Sequence, residues 1–407
     1  MALPREFRLL AVGQALSWLG TGFETVALAV AVVGNGGSPG DLGVLLASKV
    51  VAMLVCTLFG GVWADRVQPQ RAMALADVVR FGTAGGMAVL FAAGDRSLLL
   101  LCVLVAAGSA AGSLFQPAMT ALKPMLVPVA ARQRANATLS VLKTGCSMLG
   151  PAAGGLIVAA FGAPVGFGVN AVSYLASVAT VLLISTRAER SARTGMLAEL
   201  RAGWHEVRSR DWLLSGVLAA TLYHVANGAA LVLVQVVALR DLGGASSVGF
   251  IGAAEGLGGV LGGALALRWL PGRPLVGGWV TLMLMPLWLG AYVWPGTLGT
   301  VLAGAVLGYA GLFYFDVAWE TVIQDQVPHR MLARVASWDI VTSFAAMPIG
   351  SALAGPLSSA FGIRPVLAGC ALVLLVAAVL PLLVSGTRTI TRPAGEPAPA
   401  EVALIPA

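Results

Sequence analysis

Charge is scarce in this chain. Only 11% of its 407 residues are Asp, Glu, Lys or Arg, less than half the usual share, which leaves too little polar surface for a water-exposed globule and excludes that class. Lysine occurs three times (Lys49, Lys123, Lys143), as does histidine (His205, His224, His329). The four cysteines, Cys56, Cys102, Cys146 and Cys370, have no C-x-x-C spacing and all fall in apolar runs. Neither a disulfide framework nor a metal site is expected from them.

Enzyme signatures are lacking too. Ser140 and Lys143 satisfy S-x-x-K, and Lys143 opens a K-T-G, but the two overlap in one segment and no S-D-N accompanies them. "GFGVNA" (Gly166–Ala171) matches G-x-G-x-x-A yet opens an apolar run with no strand before it. His205-Glu206 lacks the second histidine of H-E-x-x-H, and no G-x-x-x-x-G-K-[ST] loop is present to hold ATP. The expectation is a protein that is not an enzyme and carries no cofactor, with any work drawn from an ion gradient.

What the chain does have is apolar length: 58% of residues are hydrophobic and mean hydropathy is +0.88. A bilayer core about 30 Å thick takes roughly 20 residues per spanning helix. Twelve runs of that kind occur, near 9–34, 42–64, 72–93, 97–121, 138–160, 164–186, 213–238, 247–267, 275–294, 297–321, 336–360 and 364–385. The expected class is therefore an all-α integral membrane protein with twelve transmembrane helices. The first run extends to about Gly34 with no small-residue cleavage site, too long for a removable signal peptide.

The net charge of +7 is a topology signal rather than a sign of nucleic-acid binding. With a cytoplasmic N-terminus, nineteen of the 25 basic residues fall in inner loops and tails. Arg96, Arg240 and Arg364 fall outside, and Lys49, Arg80 and Lys143 sit within helices. This bias predicts a cell-membrane protein with both termini cytoplasmic.

The chain also repeats itself. "LVPVAARQRANA" from Leu126 faces "QVPHRMLARVAS" from Gln326 at an offset of 200, pairing Pro128 with Pro328 and Arg134 with Arg334. The same offset pairs Phe115 with Phe315, Gly150 with Gly350 and Phe161-Gly162 with Phe361-Gly362. Two six-helix bundles are expected, at 1–186 and 213–386, joined by a cytoplasmic linker at 187–212 and followed by a disordered tail at 387–407. In the linker, Met196, Leu197, Leu200, Trp204 and Val207 recur at helical spacing, which suits either an amphipathic surface helix or a solvated connection.

"GGVWADRVQPQR" after the second run resembles the loop signature of the major facilitator superfamily: Gly61, three residues, then Asp65-Arg66, followed by Arg71. The resemblance implies an inner-gate latch partnered by the eleventh helix. Gln68 and Pro69 stand where the family has Gly and Arg, which leaves open a weaker latch or a basic role held by Arg71 alone. "KTGCSMLGPAAGGLIV" (Lys143–Val158) places Gly145, Gly150, Pro151, Gly154 and Gly155 in the fifth run. That pattern is similar to the fifth-helix signature of the superfamily's drug-exporting antiporters. Glycines there form a groove for a neighbouring helix, and the proline a bend. "RLLAVGQALSWLGTGFETVALAV" (Arg8–Val30), "FQPAMTALKPMLVP" (Phe115–Pro128) and "RANATLS" (Arg134–Ser140) resemble the branch with macrolide-efflux proteins and the enterobactin exporter. Members of that branch are proton-driven exporters of antibiotics or siderophores.

Ionisable groups at membrane depth cost about 2.5–3.5 kcal/mol each at a helix centre and are kept where they face a cavity or a partner. At 1.5 Å per residue, Glu24 lies about 15 Å from the outer end of its helix, Lys49 about 10 Å and Glu255 about 12 Å. Burial disfavours a carboxylate's charge and a nearby cation restores it, so Glu24 is the leading proton-coupling candidate. The alternative is a purely structural ion pair with Lys49. Glu255 and His224 are the further candidates. Asp316, Glu320 and Asp339, with Arg334 close in sequence, read as gate charges at the inner ends of the tenth and eleventh helices. Asp77 and Arg80 would join them around Asp65. A cavity between the halves is expected to be lined by Trp18, Glu24, Lys49, Gln116, His224, Asn227, Tyr314 and Trp338.

The resulting expectation is a monomeric secondary exporter in the lipid bilayer, exchanging protons for a small amphipathic compound. An uptake symporter of the same fold and a non-transporting scaffold or sensor are the competing readings.

Overall fold

The computed structural model describes residues 3–34, 36–64, 68–95, 97–128, 131–185, 204–294 and 296–391. Among these, all regular structure is helical, and twelve helices are long and apolar enough to cross a membrane. In hydrocarbon every backbone N–H and C=O must be satisfied within its own segment, and a helix does that without a partner. We number them α1 (Arg5–Gly34), α2 (Pro39–Ala64), α3 (Pro69–Ala92), α4 (Leu98–Leu126), α5 (Arg132–Phe161), α6 (Ala163–Leu182), α7 (Asp211–Asp241), α8 (Ala245–Arg268), α9 (Pro274–Val293), α10 (Leu298–Gln326), α11 (His329–Phe361, broken at Ala346) and α12 (Ile363–Leu383).

The helices form two pseudo-symmetric six-helix bundles. In the first, α1 packs on α5 and α6, α2 on α4, and α3 on α4 and α6. The second repeats each pairing: α7 on α11 and α12, α8 on α10, and α9 on α10 and α12. The repeat reaches the backbone. Gly162 and Gly362, between the fifth and sixth helix of each bundle, both adopt φ near +85°, a left-handed turn that side-chain-bearing residues rarely take. An even number of crossings puts the start of α1 and the end of α12 on one side, here the near face. The opposite side is the far face.

Among the described residues two main crossings join the bundles, α5 with α8 and α2 with α11, and the closest approaches of both lie toward the far face. A Cβ on Gly155 of α5 would lie 2.8 Å from the Gly249 Cα of α8. Its repeat counterpart, Gly355 of α11, abuts Gly40 of α2 more closely still. Gly150 and Gly154 serve the other flank of α5, where added Cβ atoms would meet Leu19 O and Phe23 Cα of α1, each at 2.8 Å. Glycine in a membrane helix removes the side chain that would hold two backbones apart, so α5 wedges between α1 of its own bundle and α8 of the other. Gly145 differs from its expected groove role: a side chain there would meet nothing within 4 Å.

Some expectations fall outside the described residues: Asp65, Arg66, the linker from 186 to 203 and the tail from 392. The surroundings of Gly61 and the Arg334 side chain are likewise outside them. At the linker's end, residues 204–208 are helical. Trp204 packs on Trp338 with ring centroids 4.9 Å apart, and Val207 is fully buried. Order runs past the expected start of the tail, because Ser385–Thr389 forms a helical turn with Thr387 buried.

Candidate functional site

A cavity of about 770 Å³ lies in the N-terminal bundle. Its wall comes from α1, α2, α3, α4 and α6, with Glu24, Lys49 and Arg80 as its charged groups and Tyr174 beside them. Small polar residues on α4, Ser109 and Ser113, and Gln116 one turn on, give it a partly hydrophilic lining, while Met53 and Met87 supply adaptable apolar surface.

The charged groups are tightly partnered. Lys49 Nζ donates to Glu24 Oε1 at 3.1 Å, and Asn170 Nδ2 donates to Glu24 Oε2 at 2.8 Å. Both carboxylate oxygens are therefore engaged, one by a cation and one by an amide. Arg80 Nη1 donates to the fully buried Asp77 at 3.1 Å, and Arg80 Nη2 to the Tyr174 hydroxyl at 2.9 Å. The guanidinium carbon lies 3.9 Å from the centre of the Tyr174 ring, a cation–π contact that adds to the hydrogen bonds. Ser109 Oγ donates to the Lys49 carbonyl at 2.8 Å, tying α4 to the helix that carries the lysine. Two acids and two bases thus balance in one membrane-depth network.

Asn170 and Tyr174 were missed by sequence reasoning. Their signal was available: two polar groups four residues apart share one face of α6, in a span whose glycine pattern drew attention to a nucleotide motif instead. Arg80 also differs from its expected place in a near-face gate network. Its position three residues after Asp77 turns it toward the cavity, within electrostatic reach of Glu24.

The cavity wall differs from the expected set. Glu24, Lys49 and Gln116 line it, whereas Trp18, His224, Asn227, Tyr314 and Trp338 do not. Trp18 packs on the core of the N-terminal bundle. The Tyr314 hydroxyl donates to the Trp269 carbonyl at 2.9 Å, and Trp338 meets the linker. His224 Nδ1 lies 2.8 Å from the Ala220 carbonyl, and the ring packs 4.7 Å from Phe344. Asn227 Oδ1 is buried without a hydrogen-bond partner among the described residues. Helical periodicity puts these residues at membrane depth but leaves the direction each helix faces to packing.

The C-terminal bundle holds a different set of acids. Glu255 and Tyr309 line the same smaller cavity, of about 270 Å³. Asp339 Oδ2 accepts from Trp319 Nε1 at 3.1 Å, and Asp316 has Glu320 and Asp339 as electrostatic neighbours. This brings three of the expected gate acids together. Arg71 stands exposed near the start of α3. No group of His, Cys, Asp and Glu among the described residues could hold a metal ion.

The family profile for the Major Facilitator Superfamily matches residues 10–347. The chain belongs to the Major Facilitator Superfamily. As a facilitator, it is a membrane-embedded transporter of small molecules rather than an enzyme. It is 25% identical over 368 residues to the multidrug efflux pump Tap of Mycolicibacterium fortuitum, covering 85% of this chain and 87% of the pump. It is also 27% identical over 391 residues to an uncharacterised MFS-type transporter, y4rN, of Sinorhizobium fredii, covering 91% and 94%. Among solved structures, a bacterial homolog of the human lysosomal transporter Spinster superposes with a TM-score of 0.74 at 15% identity, covering 95% of this chain and 98% of that one. A bacterial homologue of the iron transporter ferroportin superposes with a TM-score of 0.73 at 17% identity, covering 94% and 99%. At those identities the structural likeness speaks for the fold alone.

Proposed function

We propose that this facilitator is a secondary exporter, moving a small amphipathic compound out of the cell in exchange for protons, with Glu24 as the coupling acid. The observation that carries the reading is the Glu24–Lys49–Asn170 cluster on the wall of a cavity of about 770 Å³, a volume suited to a drug-sized molecule. Kinship with pumps named for multidrug efflux supports the direction, and the basic bias of the loops supports a cell-membrane protein with cytoplasmic termini.

A proton reaching Glu24 ends its ion pair with Lys49. The freed ammonium then stands uncompensated at membrane depth, which is unfavourable unless the surrounding helices rearrange. Proton arrival is thereby linked to a change of exposed face, with the glycine crossings at the far face as the contacts that part. Asp316, Glu320 and Asp339 would serve as gate charges at the near face.

The test is dye export by protein in liposomes under an imposed proton gradient. Glu24→Gln should abolish the response to the gradient. Gradient-driven export that persists in this variant removes Glu24 from the coupling step. A purely structural pair, the second reading, predicts that Glu24→Gln combined with Lys49→Met restores coupled transport.

A further inference from the structure

The smaller cavity touches both bundles. It lies beside the far-face crossing of α5 and α8, with Ser147 of α5, Gln235 of α7, Glu255 of α8, Tyr292 of α9, and Tyr309 and Phe313 of α10 on its wall. We propose that this cavity is a second binding site, separate from the Glu24 cavity, that takes a monovalent organic ammonium ion on Glu255.

Three observations carry this. First, Glu255 has no ion pair with any described residue, whereas Glu24 has a cation on one oxygen and an amide on the other. Glu255 shares its cavity wall with the phenols Tyr292 and Tyr309 instead. A carboxylate at membrane depth that lacks a cation from its own protein is stable either protonated or with a cation supplied from outside. Second, the space beside it is a cavity rather than packed side chains, about 270 Å³ in volume, which suits a compact head group. Third, Tyr292, Tyr309 and Phe313 wall that space. Aromatic faces attract alkylammonium groups and give nothing comparable to a neutral group of the same shape. A carboxylate flanked by three rings therefore suits an organic cation.

The site makes no demand on transport direction or on coupling through Glu24, so its test is a binding measurement. Protein in phosphatidylglycerol nanodiscs, which contain no amine headgroup, is titrated with benzyltrimethylammonium and with its uncharged isostere neopentylbenzene. Saturable binding of the cation is expected, with at least tenfold weaker binding of the isostere. Glu255→Gln should weaken cation binding at least tenfold, and Phe313→Leu, which keeps apolar bulk and removes the ring face, at least threefold. Glu24→Gln should leave it within twofold. No saturable binding to the wild type, equal binding of the isostere, or loss in Glu24→Gln with retention in Glu255→Gln would each overturn the site. Failure of dye export by wild-type protein with cation binding intact would count against the exporter reading and leave this site standing.

Discussion

In the N-terminal bundle the membrane-depth acids are met by bases, Lys49 on Glu24 and Arg80 on Asp77, each at 3.1 Å. In the C-terminal bundle Asp339 is met by Trp319 and Glu255 shares a cavity wall with Tyr309, and neither has an ion pair with a described residue. The backbones share one plan, down to the matching turns at Gly162 and Gly362. Duplication therefore preserved the packing and left the charge chemistry of each half free to diverge. A paired acid holds its ionisation by an internal cation. An acid ringed by aromatic groups depends on what arrives from outside, a proton or a cationic solute.

Breaking this contrast should be most costly on the paired side. Lys49→Ala leaves Glu24 facing the cavity without its cation, and we expect roughly 2–4 kcal/mol of lost stability, between the values for exposed and buried pairs. Thermal unfolding in detergent checks this, and restoring Glu24→Gln in the same chain should recover most of the loss. The shared packing plan predicts equal effects at repeat-related seams. Gly155→Leu and Gly355→Leu should each cost about 1–3 kcal/mol by overpacking and should raise labelling of cysteines placed at the far face; labelling raised by only one of them breaks the symmetry. On the unpaired side the sign reverses. Glu255→Gln replaces a membrane-depth carboxyl that no described residue pairs, and should be neutral to about 1 kcal/mol stabilising, whereas a loss comparable to that of Lys49→Ala would erase the distinction. Smallest of all is Glu206→Ala at the linker, where the Arg210 pair at 2.8 Å is one turn apart and near the surface. A change within about 0.5 kcal/mol is expected in the same melts.

Much of this was legible in the residue order. Twelve apolar runs, the offset of 200 and the Gly-Pro-x-x-Gly-Gly pattern in α5 all correspond to features of the fold. Glu24 and Lys49 stood out because an ion in an apolar run demands a partner. Asn170 and Tyr174 did not stand out, since neither carries a charge and only their distant partners make them matter. Tyr314 and Trp338 were expected at the cavity because they are large and amphipathic, but such side chains also serve as anchors to a carbonyl or another ring.

The sequence by itself determined the class of molecule, the number of crossings and the doubling of the bundle. Hydrocarbon imposes those through local rules: backbone groups satisfied within each segment, and apolar length matched to thickness. Only the tertiary structure decided which face each helix turns inward. That choice depends on contacts between residues far apart in the chain, such as Glu24 with Asn170 or Gly155 with its partner on α8. Rotating a helix about its axis changes its apolar content very little and its neighbours completely, so the cavity and its charges could be located only once the helices were packed.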